Sequence, residues 1–257
     1  DAATIAYECQ STVVSNFRAG DIAAGGGGAP LVPYVDYLLY KDKAKTRALH
    51  NVGGIANTTV IPSGASIDDV LAFDTGPGNM MIDRAMEVLY SKKYDENGDI
   101  ARSGQVILQM LNELLDNSYF AQLPPKSTGR ELFGIEYTDY ILDKYSNHKN
   151  ADIVHTLTVF TAKTILNAYR DFVESKCPLD EIIFTGGGAY NTFLIEYISK
   201  KSLADIKVFE DIGFSSDAKE AIAFAVLGNE TLHRIYNNAP SATGAKEGVI
   251  LGQVNFY

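Results

Sequence analysis

Apolar residues recur every three or four positions along residues 152–175, the spacing that places them on one face of a helix. Six residues share that face: Val154, Leu157, Thr161, Ile165, Tyr169 and Phe172. The same spacing at Met81, Ala85 and Val88 predicts a second helix, and residues 104–115 predict a third.

Short apolar runs bounded by glycine, proline and polar residues predict the strands. They are residues 11–17, two strands within 47–64 joined around Gly53–Gly54, and residues 70–73, 181–185 and 206–209. Further helices are expected at 34–40 (which also fits a strand), at about 191–200, and from Ser216–Asp217 onwards. Residues 21–33, 94–103 and 124–131 are predicted as loops or irregular segments. This order of strands and helices indicates an α/β fold with a mixed sheet.

Glycine-rich turns follow several of the predicted strands. Gly25–Gly28, Gly53–Gly54 and Gly186–Gly188 each come after an apolar run, and Gly76–Gly78 is a fourth such turn. Glycine lets the backbone approach a ligand closely, and a turn from strand to helix directs N–H groups at anionic oxygens. Neither a P-loop motif nor the dinucleotide fingerprint G-x-G-x-x-G occurs.

Three carboxylates lie beside these turns. Asp21 precedes the first glycine turn, and Asp74 ends a predicted strand, so each fits general-base or metal chemistry and fits turn or helix-cap chemistry equally well. Glu220 is the fourth residue of a run, Asp217 to Glu220, that locally favours a helix-capping role.

Composition narrows the classes of function. The chain has 257 residues and is 46% hydrophobic. Its net charge of −10 argues against a nucleic-acid partner, because phosphates are neutralised by Lys and Arg. Its two cysteines predict reduced thiols in the cytoplasm, and its four histidines lack metal-ligand spacing. No signal peptide and no apolar run of roughly 20 residues is present, so we expect no membrane association.

Six sequence runs together resemble one family. They are VVSNFRAGDIAAGGGGAPLVP, NVGGIAN, AFDTGPGNMMID, PPKSTGREL, FTGGGAYN and DAKEAIAFA, and they extend from residue 13 to about 226. In this order they resemble the anhydro-N-acetylmuramic acid kinases, which belong to the actin-like ATPase superfamily. Fungal levoglucosan kinases share much of the same signature.

The resemblance implies an actin-like (ribonuclease H-like) ATPase fold with ATP and substrate between two lobes. It divides the chain into the end of a first lobe (1–45), a nucleotide-binding second lobe (46–235) and a C-terminal return towards the first lobe (236–257). Family members begin with a phosphate-gripping Gly-Thr-Ser-x-Asp-Gly loop more than a hundred residues before the position of Asp21. This sequence has no such loop and begins with Asp1, so we expect a partial first lobe and a processed or truncated start.

The resemblance also implies site residues. Asp21 matches the catalytic aspartate, Arg18 and Glu220 match substrate or phosphate contacts, and Glu220 and Asp74 would hold Mg²⁺. The nucleotide-binding positions carried over are Asn51, Gly53, Gly54, Asn57, Asp74, Thr75, Gly76, Gly186, Gly187, Gly188 and Asn191. One position departs from the family, whose glycine loop usually reads Gly-Gly-Gln-Gly, because Gly27 stands in place of the glutamine.

The activity implied is ATP- and Mg²⁺-dependent opening and 6-phosphorylation of 1,6-anhydro-N-acetylmuramic acid in cell-wall recycling, by a cytoplasmic protein that forms a homodimer. Two alternatives stay open at this point. One is a kinase acting on levoglucosan, and the other is a catalytically incomplete module that binds nucleotide weakly or not at all.

Overall fold

The computed structural model describes residues 1–213 and 218–257. Its strands are β1 (Val13–Ser15), β2 (Arg47–Val52), β3 (Ile55–Ile61), β4 (Leu71–Pro77), β5 (Glu181–Thr185), β6 (Asp205–Val208) and β7 (Gln253–Asn255). Its α-helices are α1 (Ala2–Cys9), α2 (Phe17–Ala23), α3 (Val32–Tyr40), α4 (Met80–Tyr90), α5 (Asp99–Ser103), α6 (Leu108–Leu115), α7 (Arg130–Phe133), α8 (Ile135–Lys144), α9 (Asn150–Phe172), α10 (Thr192–Ser199), α11 (Lys219–Leu232) and α12 (Pro240–Thr243).

Five strands form the central sheet in the order β4-β3-β2-β5-β6. Strand β3 is antiparallel to both β2 and β4, whereas β2, β5 and β6 are parallel. A five-stranded sheet in which only the second strand is reversed is the arrangement of ribonuclease H-like folds. The expected α/β class with a mixed sheet is therefore confirmed.

Helix α9 covers one face of this sheet, as its apolar stripe predicts. All six residues of the predicted stripe are buried. Ile165 and Tyr169 pack against Val60 of β3 and Phe184 of β5 in one hydrophobic cluster. The opposite face packs on α3 through Tyr40, so the sheet is buried between helices on both sides.

The two ends of the chain meet in a small second sheet. Strand β7 pairs antiparallel with β1, from Val13 opposite Asn255 to Ser15 opposite Gln253. Leu251, just before β7, is fully buried against Phe17 of α2. The C-terminal segment thus packs beside α2, while the division of the chain into lobes stays a prediction.

Several local predictions differ from the structure. Residues 17–23 form helix α2, so Asp21 lies in a helix and not in a loop. The segment 94–103 is polar but partly helical, because the Asp95 carboxylate accepts the N–H groups of Ile100 and Ala101 and so caps α5. Val88 is exposed, so it does not belong to the buried face of α4.

The start of the last long helix was predicted at Ser216–Asp217, which lie outside the described residues, and α11 is described from Lys219. No described helix combines the length and the apolar composition needed to cross a membrane.

Candidate active site

Three of the glycine turns meet at one edge of the central sheet. Strands β2, β4 and β5 run in the same direction, so their carboxyl ends lie at that edge. The N–H of Gly78 donates to the carbonyl of Gly54 at 2.9 Å, and the N–H of Asn79 donates to the carbonyl of Gly53 at 2.8 Å. The Asn79 side chain donates to the carbonyl of Val52 at 3.2 Å, which joins the turn after β4 to the end of β2.

Some of these glycines are required by close packing between the turns. A Cβ at Gly78 would lie 2.3 Å from the carbonyl oxygen of Gly53, and one at Gly188 would lie 2.3 Å from Cγ1 of Val52. Gly186 has a φ of +82°, and its Cβ would lie 2.5 Å from Oδ1 of Asn51. By contrast, a Cβ added at Gly54 or Gly187 would lie 3.6 Å or more from the nearest atom of the described residues, so a side chain would fit there.

A cleft of about 830 Å³ opens between the loop after α2, this edge of the sheet and the start of α11. Six of the expected site residues line it: Arg18, Asn51, Asn57, Asp74, Gly186 and Glu220. The others do not: Asp21, Gly53, Gly54, Thr75, Gly76, Gly187, Gly188 and Asn191.

Polar residues form a row along the floor of the cleft. Strand register pairs Thr185 with Asn51, Asn51 with Asn57, and Asn57 with Asp74. Residues paired in register share a face of the sheet, and all four line the cleft. The row offers hydroxyl, amide and carboxylate groups side by side, which suits a ligand rich in hydrogen-bonding groups.

Asp21 lies directly behind the cleft wall and is fully buried. Its Oδ1 accepts from Nδ2 of Asn238 at 3.0 Å and from Oγ1 of Thr243 at 2.7 Å, and its Oδ2 accepts from the N–H of Gly28 at 2.8 Å. Thr243 and Gly27 both line the cleft, so they separate the carboxylate from it. A Cβ at Gly26 would lie 2.2 Å from Oδ2 of Asp21, so the carboxylate rests against a position that only glycine fits.

Arg18 precedes Asp21 by one turn of α2. Its guanidinium donates to the carbonyl of Gly28 at 2.6 Å and lines the cleft. Arg18 therefore binds the carbonyl of Gly28, and Asp21 accepts the N–H of the same residue. The loop that both residues hold forms part of the cleft wall through Gly27.

Asp74 ends the row of polar residues and is held on several sides. Its carboxylate Oδ2 accepts the N–H of Thr128 at 2.9 Å, its own N–H donates to the carbonyl of Lys126 at 3.0 Å, and its carbonyl accepts from the hydroxyl of Tyr119 at 2.6 Å. Burial raises the pKa of Asp74 above its usual value, which the Thr128 N–H partly opposes.

Two other expected site residues, Asn191 and Glu220, differ in their surroundings. Asn191 caps α10, because its Oδ1 accepts the N–H of Leu194 at 3.0 Å. Glu220 lies exposed in the first turn of α11 and faces the cleft. The helix is capped by Ala218 without a side-chain hydrogen bond, and the capping pattern considered for Glu220 involves Asp217, which lies outside the described residues.

An ion pair that the sequence does not predict lies at the cleft, between a half-buried lysine and a buried aspartate. The Nζ of Lys219 lies 3.4 Å from Oδ1 of Asp36, and both residues line the cleft. Burial raises the pKa of Asp36, while the Lys219 ammonium and a hydrogen bond from Thr59 oppose the rise. One signal was available, since Asp36 is the lone charge in an apolar run on α3.

Comparison with known proteins identifies the family. All 257 residues match the sequence model of the family described as anhydro-N-acetylmuramic acid kinase. The chain belongs to the anhydro-N-acetylmuramic acid kinase family. It is 72% identical to the anhydro-N-acetylmuramic acid kinase of Francisella tularensis subsp. novicida (strain U112), and the match covers 100% of this chain and 68% of that protein.

A second relative, the anhydro-N-acetylmuramic acid kinase of Clostridioides difficile (strain 630), is 52% identical over 99% of this chain and 67% of its own length. Among solved structures, the activator of the 2-hydroxyisocaproyl-CoA dehydratase from Clostridium difficile with bound ADPNP is similar at a TM-score of 0.45 and 16% identity. That match covers 80% of this chain and 68% of the activator.

Proposed function

We propose that this chain carries out the reaction for which its family is named. It opens 1,6-anhydro-N-acetylmuramic acid with water and transfers the γ-phosphoryl group of ATP to O6, giving N-acetylmuramic acid 6-phosphate for cell-wall recycling. The family match over the whole chain carries this proposal, and it does not favour levoglucosan. The cleft supports it, because six of the carried-over residues line it.

Asp21 is proposed as the general base. A carboxylate oxygen has two acceptor positions, and Oδ1 of Asp21 has a donor at each, from Asn238 and Thr243. Within the part of the chain that the structure describes, Oδ2 accepts one hydrogen bond, from Gly28, and so keeps one position for the proton of an attacking water. The hydrogen-bond donors around it hold the carboxylate in the orientation that this transfer needs. Because Asp21 is fully buried and its partner Thr243 lines the cleft, the proposal requires a movement of the cleft wall that exposes Oδ2 to the substrate.

In the proposed reaction the water oxygen bonds to the anomeric carbon, and its proton moves to Asp21. The bond from that carbon to O6 breaks, and O6 bonds to the γ-phosphorus as the bond to ADP breaks. Arg18 and Lys219 line the cleft as cations that suit the phosphate charge, and the cleft-lining turn residue Gly186 would let a phosphate approach the backbone closely.

The cleft fits a magnesium ion brought in with ATP. Among residues 1–213 and 218–257 there is no cluster of three or more His, Cys, Asp or Glu side chains that could hold a metal. Mg²⁺ usually takes only one or two protein carboxylates, with phosphate oxygens and waters completing its shell. Asp74 and Glu220 line the cleft and would supply those carboxylates, and the ion would neutralise phosphate charge.

The test is a coupled ADP-release assay with 1,6-anhydro-N-acetylmuramic acid, ATP and Mg²⁺, with levoglucosan as the comparison sugar. We expect turnover of the first sugar, loss of at least about a hundredfold in Asp21→Asn because the base is removed, and unchanged turnover in the exposed control Asp68→Asn. Absence of turnover in a chain that melts cooperatively would contradict the proposal and support the catalytically incomplete module.

The same proposal places the protein in the cytoplasm, where ATP is supplied, and as a homodimer, as the family resemblance implies. Sedimentation equilibrium measures the second point directly, and a single monomeric species across the micromolar range would contradict it.

A further inference from the structure

Lys126 is a lysine whose ammonium lies inside the protein. The residue is 8% exposed, and its Nζ donates to the carbonyls of Tyr119 and Phe120, each at 3.2 Å. The ammonium also lies 4.6 Å from the ring centroids of Tyr119 and Phe172. These contacts hold a charged group away from water, which is costly unless the charge is well paired.

The backbone around Lys126 holds Asp74. The carbonyl of Lys126 accepts the N–H of Asp74, and two residues later the N–H of Thr128 donates to the Asp74 carboxylate. Tyr119, whose carbonyl accepts from the Lys126 ammonium, donates its hydroxyl to the Asp74 carbonyl. Lys126 therefore joins the turn Ser118–Ala121 and the loop 124–129 into one unit around Asp74.

Among residues 1–213 and 218–257, the recorded hydrogen bonds of this ammonium go to main-chain carbonyls and none goes to a carboxylate. Lys126 lines the active-site cleft on one side and, on the other, a second cavity of about 470 Å³ that Asp116, at the end of α6, and Asp171 of α9 also line. On the cleft side, Asp74 of β4 is the charged residue whose backbone bonds to Lys126. Burial lowers the pKa of Lys126 to about 8, and the charge of Asp171 opposes this fall.

We propose that Lys126 is a positioning residue for the kinase reaction, whose ammonium fixes the turn 118–121 and the loop 124–129 so that the Asp74 carboxylate stays at the cleft. The role rests on the proposed function, because Asp74 is there assigned to the cation that accompanies ATP. Lys126 itself acts through Asp74, since two of its three N–H groups are used by main-chain carbonyls.

The first experiment measures the position of the loop without any substrate. Amide hydrogen exchange of Asp74 and Thr128 is compared in the wild type, in Lys126→Met and in Lys43→Met, a control at an exposed lysine. We expect protection of both amides to fall at least tenfold in Lys126→Met only. Unchanged protection in Lys126→Met would overturn the proposal, whatever the protein's enzymatic activity.

The second experiment measures binding of ATP by calorimetry, with and without Mg²⁺. We expect Lys126→Met to weaken ATP binding at least tenfold in the presence of Mg²⁺ and less than twofold in its absence. The reason is that Asp74 is proposed to contact the Mg²⁺ ion and not ATP itself. Lys126→Arg keeps a cation and should restore part of the loss. Equal weakening with and without Mg²⁺ would overturn the assignment to Asp74.

These outcomes distinguish the two proposals. If the wild type turns over no anhydro sugar but the amide exchange behaves as expected, the proposed function fails and the positioning of Asp74 stands. If the wild type turns over the anhydro sugar and Lys126→Met matches it in amide exchange and in Mg²⁺-dependent ATP binding, the positioning role fails alone.

Discussion

His50 shows how one residue of the β2 strand can be essential to packing without being part of the cleft. It is fully buried, and its Nδ1 lies 2.7 Å from the hydroxyl of Tyr169 on α9. Its Nε2 has no hydrogen-bond partner among the described residues. Burial lowers the pKa of His50 to about 3, so the imidazole stays neutral in the folded protein at neutral pH. This burial and the Tyr169 contact join β2 to α9.

This burial predicts a loss of stability in acid. The unfolded chain takes up a proton at His50 near pH 6.5 and the folded chain near pH 3, so stability falls as pH decreases between these values. We expect the wild type to lose up to about 1.4 kcal/mol per pH unit relative to His50→Gln between pH 6 and 4.5. Urea unfolding at several pH values measures this, with His148→Gln as the exposed control. Parallel curves for wild type and His50→Gln would contradict the prediction.

At the scale of single residues, the cleft brings together some of the predicted site residues, and the contacts of Asp21 were not predictable from the sequence. Arg18, Asn51, Asn57, Asp74 and Glu220 were placed at a site by resemblance, and all five line the cleft. The partners of Asp21 could not be predicted, because Asn238 and Thr243 are 217 and 222 residues away along the chain. No local pattern encodes contacts at such separations.

At the scale of elements, helix α9 links the core to the glycine turns. Thr161 lies in the stripe predicted from the apolar spacing, and its hydroxyl donates to the carbonyl of Gly78 at 2.9 Å.

Long periodic elements such as α9 and the paired strands β2 and β3 were predictable, because one face of each is buried along its length. Helices α2 and α5 were not, because seven or fewer residues give too few turns for a periodic signal.

The link from α9 to the turn after β4 can be tested with a substitution of nearly equal shape. We expect Thr161→Val to cost about 1–3 kcal/mol in the free energy of unfolding, because the buried Gly78 carbonyl loses its donor. If the turn Gly76–Gly78 contacts the nucleotide, the affinity for ATP should also fall in Thr161→Val. Thr158→Val is the matched control, since the Thr158 hydroxyl donates to the carbonyl of Val154 within the same helix. Equal stability of the two variants, measured by urea unfolding, would show that this link contributes nothing.

At the scale of the whole molecule, the meeting of the two chain ends builds the surroundings of Asp21. The pairing of β1 with β7 places residues 236–257 beside α2. Asn238 donates both to Asp21 and to the carbonyl of Glu247, and the N–H of Gly27 donates to the carbonyl of Thr243. The proposed base therefore depends on contacts between segments from opposite ends of the chain.

Removing one of these contacts should affect the sugar-opening step more than ATP binding. Thr243→Val removes the donor 2.7 Å from Oδ1 of Asp21 and leaves Asn238 in place. A hydrogen bond to a charged group contributes about 1.5–3 kcal/mol, so we expect kcat to fall by about ten- to a hundredfold. The KM for ATP should change less than about twofold, since the glycine turns are untouched. Ser241→Ala is the control, because the Ser241 hydroxyl donates to the carbonyl of Ile67 at 3.4 Å and does not reach Asp21. An unchanged kcat in Thr243→Val, measured by ADP release, would mean that the C-terminal segment supports the fold and has no part in orienting the base.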